Sequence, residues 1–119
     1  MSNLGREVRL NRLMRHQQGR FLDITVDHGI ARGVIPGLED IHGLIRMMLE
    51  GQPDAITMQK GIAESCFEPY AGKIPLVIKC SSYSPFHYSY DTMITTVEEA
   101  VRLGADAVSI GIIIGSTRQ

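Results

Sequence analysis

Four short apolar segments, starting near residues 22, 54, 75 and 106, alternate with segments whose apolar residues recur at helical spacing. Alternation of this kind joins parallel strands through right-handed crossovers, so it predicts an α/β fold with a parallel sheet. The expected strands cover 22–27, 54–58, 75–80 and 105–113. A first helix is predicted over 4–16, ended by Gln17-Gln18-Gly19. A second carries Leu38, Ile41, Leu44, Ile45, Met48 and Leu49, and Gly51 with Pro53 stops it. A helical segment is expected over 62–67. Thr96-Val97-Glu98-Glu99 reads as a capping box, opening a helix that runs to Leu103 and closes on a left-handed Gly104. Gly33 and Pro36-Gly37 predict a long loop after the first strand, before any helix starts. A second loop, rich in Ser, Tyr and Pro, is expected after the third strand.

Side-chain parity within the strands narrows the architecture. In the first strand Leu22, Ile24 and Val26 point one way and Asp23, Thr25 and Asp27 the other. In the fourth, Val108, Ile110 and Ile112 oppose Ala107, Ser109 and Gly111. One face suits covering helices; the other is small or polar, as inside a barrel near a site. An open doubly wound sheet is apolar on both faces. The pattern therefore favours the amino-terminal half of a (β/α)₈ TIM barrel, with four parallel strands alternating with helices. A whole barrel takes about 250 residues, so the 119 residues read as a single partial-barrel domain over 1–119, cut after its fourth strand.

Composition removes several function classes. The formal net charge is −1 and charges of both signs are spread along the chain, which leaves no electrostatic footprint for nucleic acid or an anionic membrane. The longest apolar runs, such as 107–114, are far shorter than a membrane span. Arg6, Arg9, Arg12 and Arg15 are interleaved with Leu4, Val8, Leu10 and Leu13, without the apolar stretch of a secretory signal. Glu7 and the scarcity of Ser disfavour a transit peptide, so an ordinary helix of a cytoplasmic protein is expected. Cys66 and Cys80 are too few for a disulfide framework and are read as buried reduced thiols. No His, Cys and carboxylate spacing makes a metal site, and the glycines fit neither a dinucleotide fingerprint nor a P-loop. No metal and no cofactor are expected.

The first strand ends in Asp27-His28-Gly29, and a carboxylate at the carboxyl end of a parallel strand is where α/β folds place their chemistry. Asp27 has inward parity and is the candidate catalytic residue; the alternative is a carboxylate bonding loop amides. His28 points the other way by strand alternation, toward packing or a supporting role on the substrate side. Gly29 answers a backbone need, either positive φ or the close approach of a ligand.

Beyond these single residues, Val26-Asp27-His28-Gly29, Gly33-Val34-Ile35-Pro36-Gly37-Leu38, Met58-Gln59-Lys60-Gly61-Ile62, Thr96-Val97-Glu98-Glu99-Ala100 and Gly104-Ala105-Asp106-Ala107-Val108 together resemble the archaeal-type class I fructose-bisphosphate aldolases. Aminodideoxyheptulosonate synthases and autoinducer-2 phosphate aldolase/thiolases are related. The resemblance runs from about Asn3 to Ser116 and departs at Val34, where many relatives carry proline. It implies a (β/α)₈ barrel, often assembled into rings. It also implies a lysine on the sixth strand that attacks a ketone as a neutral amine, forming a protonated Schiff base that acts as an electron sink. The aspartate that helps position substrate and iminium matches Asp27. A proton-handling tyrosine on the fifth strand and phosphate loops after strands seven and eight would lie beyond Gln119, as would the lysine. The expectation is a fragment of an aldolase acting on a phosphorylated sugar, most readily fructose 1,6-bisphosphate. The alternatives are an aminodideoxyheptulosonate synthase-like enzyme, or a half barrel working only by assembly as a homo-oligomer or with a complementary half. Unpaired edges at the first and fourth strands would then be prone to aggregation.

Three further candidates follow from position. Lys79, at the end of the third strand, shares parity with Pro75 and Val77; facing the lumen its ammonium needs an anion, for which Asp27 across the barrel is the candidate, and the alternative is a solvated strand end. Ser81, with Ser82 and Tyr83, falls in the loop on the catalytic face as polar lining. His28, Lys79 and Ser81 are accordingly the candidate substrate-binding residues. Lys60 either reaches over the mouth or caps the sheet, the second being favoured. Tyr83, Phe86, His87, Tyr88 and Tyr90 read as a lid or a subunit contact.

Overall fold

The computed structural model describes residues 3–16 and 19–115. Helix α1 (Leu4–Leu13) precedes β1 (Asp23–Thr25), a single helical turn α2 (Gly29–Arg32), α3 (Ile41–Glu50), β2 (Ala55–Gln59) and α4 (Lys60–Cys66). A 3₁₀ turn (Glu68–Tyr70) leads to β3 (Leu76–Lys79), a hairpin of β4 (Ser81–Ser84) and β5 (His87–Met93), α5 (Val97–Arg102) and β6 (Ala107–Ser109). Gln17, Gln18 and residues 116–119, on which the first helix stop and the end of the resemblance fall, lie outside the described residues.

The main sheet has the order β1-β2-β3-β6, all parallel. Spatial order follows chain order, so there is no point at which the winding reverses, as it does in doubly wound sheets. Thr25, Thr57, Val77 and Ala107 lie in one register row, and Gln59, Lys79 and Ser109 in the next. In-register parallel partners share a face, so these rows carry the small and polar residues that the parity argument assigned to the lumen. Thr57 Oγ1 donates to Asp23 Oδ2 at 2.6 Å on that face. The opposite face sends Ile56, Met58, Leu76, Ile78 and Val26 into a core closed by Ile45, Ala63, Cys66 and Ala100.

Helix boundaries have local causes. Asp40 accepts the N–H of Gly43 at 2.9 Å and starts α3. Thr96 and Glu99 form the reciprocal capping box of α5, and Gly104 (φ +88°) closes its end. At the amino-terminal end of the sheet, Arg12 reaches Asp106 (3.3 Å), Arg15 donates to the Lys73 carbonyl (3.2 Å), and His16 meets Asp54 (2.8 Å). These partners lie close before β6, β3 and β2, so α1 and the turn after it brace one end of the sheet and leave the other open. Among the described residues, no helix is long and apolar enough to cross a membrane.

Three expectations are corrected. The stretch after the third strand is an antiparallel hairpin, with an irregular register between Ser82 and Ser84. Alternating side chains in residues 87–93 give it a strand, although its polarity reads as loop. The stretch after the first strand holds the turn α2, which begins at Gly29 itself. The fourth strand pairs only over 107–109: β6 has one neighbour, and Ile110 and Ile112, which follow it, are 53% and 79% exposed.

Candidate functional site

A cavity of about 400 Å³ opens where the strands end. It is lined by Asp27, His28, Ala31, Arg32, Lys79, Ser82, Tyr83, Asp91, Gly111, Ile112 and Ile113. The groups come from the ends of β1, β3 and β6, from α2 and from the hairpin, which is the end of an α/β sheet where loops and strand termini build sites.

Asp27 follows β1 by two residues. Thr25 Oγ1 donates to its Oδ1 at 2.6 Å, and Gln59 Nε2 donates to its main-chain oxygen at 3.0 Å. Gln59 is buried and one register row above Thr57, so the end of β2 fixes the backbone that carries the carboxylate. His28 lines the same cavity, contrary to strand alternation. The strand stops at Thr25, and His28 already has helical torsions (φ −74°, ψ −23°) as the residue capping α2. Its Nδ1 is buried and finds no hydrogen-bond partner among the described residues. Gly29 needs no positive φ; a Cβ there would meet only Gln59 Oε1, at 3.7 Å.

Lys79 ends β3 and points to the cavity side, as its parity requires. Its Nζ lies 3.5 Å from where a Cβ on Gly111 would stand. The ion pairs among the described residues do not join it to Asp27, so the two charges share a cavity without direct contact. Ser81 is buried, and its Oγ accepts the N–H of Gly111 at 2.7 Å. It holds the segment after β6 in place, while its neighbour Ser82 lines the cavity. Lys60 turns away from the mouth: its Nζ is 2.6 Å from Glu99 Oε1, so it ties α4 to α5.

Asp91, on β5, escaped the sequence reading because its segment looked like loop. Its carboxylate stands over Gly111, where any Cβ would collide with it, and its Oδ1 is buried without a partner among the described residues. The usable signal was the alternation through Tyr88, Tyr90 and Thr92 around Ser89 and Asp91. Arg32, at the end of α2 and on the rim, was also missed. No cluster of three or more His, Cys, Asp or Glu with metal-binding geometry occurs among the described residues. A larger hollow, about 740 Å³, lies at the other end, between Arg15, His16, Asp54 and Lys73. Of its polar groups, His16 is engaged with Asp54 and Arg15 with the Lys73 carbonyl.

The cavity thus gathers an oriented carboxylate, an ammonium, an imidazole and a second carboxylate. That set can bind an anionic, hydroxyl-bearing ligand and exchange protons with it.

A sequence model of the DeoC/LacD family of aldolases matches residues 21–119. A 2-amino-3,7-dideoxy-D-threo-hept-6-ulosonate synthase of Halobacterium salinarum is 36% identical, over 100% of this chain and 44% of its own. A class 1 fructose-bisphosphate aldolase of Thermoproteus tenax is 30% identical, over 84% of this chain and 40% of its own. The crystal structure of an archaeal fructose 1,6-bisphosphate aldolase superposes with a TM-score of 0.75 at 29% identity, covering 92% of this chain and 46% of that one. The chain therefore spans less than half the length of the curated relatives it matches.

Proposed function

We propose, for a chain that belongs to the DeoC/LacD aldolase family, that it forms the Asp27 side of a Schiff-base aldolase site acting on a phosphorylated ketose. The observation that carries the reading is the convergence of Asp27 and Lys79, from the carboxyl ends of β1 and β3, on one cavity. In this reading Lys79 holds an anionic part of the substrate, and Asp27, kept in place by Thr25 and Gln59, positions the substrate and its cationic iminium and takes up or returns the proton of a substrate hydroxyl. The imine-forming lysine belongs to a later strand of the barrel. The unpaired edges of β1 and β6 are where that remaining half joins. The 119 residues alone are then inactive, and the working compartment is the cytoplasm.

Fructose 1,6-bisphosphate is the substrate we place first, supported by the likeness to the archaeal aldolase structure. Heptulosonate synthesis is the second reading, favoured by 36% identity over the whole chain to the Halobacterium synthase.

Borohydride trapping with dihydroxyacetone phosphate tests the assignment. None of Lys60, Lys73 or Lys79 in this chain gains the mass of the reduced adduct. Combined with a polypeptide carrying the fifth to eighth strands of a family member, one lysine of that polypeptide is labelled. Asp27→Asn slows the labelling by roughly a hundredfold, the scale of an acid–base group. An adduct on Lys79, or labelling indifferent to Asp27, overturns the reading.

A further inference from the structure

Two buried side-chain polar atoms without a partner among the described residues belong to side chains that line one cavity. His28 Nδ1 and Asp91 Oδ1 are buried without a hydrogen-bond partner among the described residues, and both side chains line the space beside Lys79. A buried carboxylate oxygen has lost its water, and no described residue repays that loss. Asp91 is nonetheless held there by design of the backbone. Its other oxygen rests against Gly111, in a position that any side chain on residue 111 would occupy. Ser81 Oγ pins the Gly111 N–H at 2.7 Å, so the platform under Asp91 is fixed. The far side of the hairpin is anchored by the Ile94 N–H, which donates to the Cys80 carbonyl at 2.8 Å.

The chemistry of the two atoms defines what fits. An ionised carboxylate only accepts hydrogen bonds, whereas imidazole Nδ1 donates or accepts according to tautomer. A phosphate or a carbonyl satisfies His28 and Lys79 but offers Asp91 no proton. A hydroxyl satisfies both kinds of atom. We propose that Asp91 is a specificity-determining residue, accepting a hydrogen bond from a hydroxyl of a polyhydroxylated substrate while His28 engages a second oxygen of the same carbon chain. The inference rests on the aldolase reading only in taking that chain to belong to a phosphorylated sugar. It makes the hairpin, rather than the sheet, the element that distinguishes a hydroxylated substrate from its deoxy counterpart.

The test titrates the chain with D-glyceraldehyde 3-phosphate and with 3-oxopropyl phosphate, which lacks the hydroxyl, reading dissociation constants from the backbone amide NMR shifts of Gly111 and Asp91. The hydroxylated ligand binds about tenfold to a hundredfold more tightly to the wild type, the range for a hydrogen bond to a charged group. Asp91→Asn, nearly isosteric, exchanges a charged acceptor for a neutral one and cuts that difference severalfold while retaining binding of the deoxy ligand. If Asp91→Asn does not fold, Gly111→Ala displaces the same carboxylate and carries this arm. Equal affinity of the two ligands for the wild type, meaning that water fills these positions, overturns the inference. So does a preference undiminished in the variant. The two readings fail separately. Schiff-base trapping without hydroxyl discrimination removes this inference alone, and discrimination without trapping in the combined protein removes the aldolase reading alone.

Discussion

Lys60 Nζ lies 2.6 Å from Glu99 Oε1, while Glu99 Oε2 accepts the N–H of Thr96 at 2.8 Å. One carboxylate therefore joins the first residue of α4 to the cap of α5, across the helix layer above β2 and β3. The Lys60 ammonium, followed by the Thr96 amide, holds the Glu99 carboxyl down to about 2, from an ordinary value of 4.5. Glu99 in turn raises Lys60.

The sign of the pH dependence follows. Because the folded-state value of Glu99 is depressed, its contribution to stability is complete above about 4.5 and is lost as pH falls from there toward about 2. Lys60 acts on the other limb: its contribution is complete below its ordinary value of 10.5 and fades as pH rises through the raised value. Melting curves collected from pH 2 to 6 check this, with Glu99→Gln flattening the acid limb relative to the wild type.

Thr96 makes a separable contribution. Its hydroxyl accepts the Glu99 N–H at 3.1 Å, and Thr96→Ala lowers unfolding stability by about 1 kcal/mol while Thr96→Ser restores most of it. Urea denaturation of the three proteins measures this.

The capping box was legible because it is local: four consecutive residues carry the whole device. The face of the first strand was legible for the same reason, since Ile24 and Val26 alternate with Asp23, Thr25 and Asp27. The hairpin was not. Serines, tyrosines and a proline resemble loop composition, and what makes 81–84 and 87–93 strands is their pairing with each other. Asp91 was lost with it. His28 was misdirected by assuming that alternation continues past Thr25, where the chain had already turned into α2. Ser81 was legible as a residue of the right region but not in its role, because that role depends on the amide of Gly111, thirty residues away.

Gly111→Ala separates that role from general stability. A Cβ collides with the end of the Asp91 side chain, which can swing away, so the cost in stability is about 1 kcal/mol or less. The hairpin then loses its seat, and hydrogen exchange of the β4 and β5 amides rises while β2 and β3 stay protected. By contrast Ile56→Ala, at a fully buried core position, costs about 2–5 kcal/mol and loosens the whole sheet.

Cys66 and Cys80 are both buried, and burial pushes both thiols above their ordinary value. Alkylation by iodoacetamide at pH 7.5 is therefore slow in the native chain and fast in 6 M guanidinium. Rapid native labelling of either cysteine would contradict the packing around α4 and the end of β3.

The central claim is that ligand chemistry belongs to the open end of the sheet, at Asp27 and Lys79, and not to the larger hollow braced by α1. Titration with dihydroxyacetone phosphate, followed by backbone amide NMR, decides between the two ends. Shifts are expected at Asp27, His28, Lys79 and Gly111, with their loss or marked weakening in Asp27→Asn. Shifts confined to Arg15, His16, Asp54 and Lys73, unaltered by Asp27→Asn, would contradict that claim.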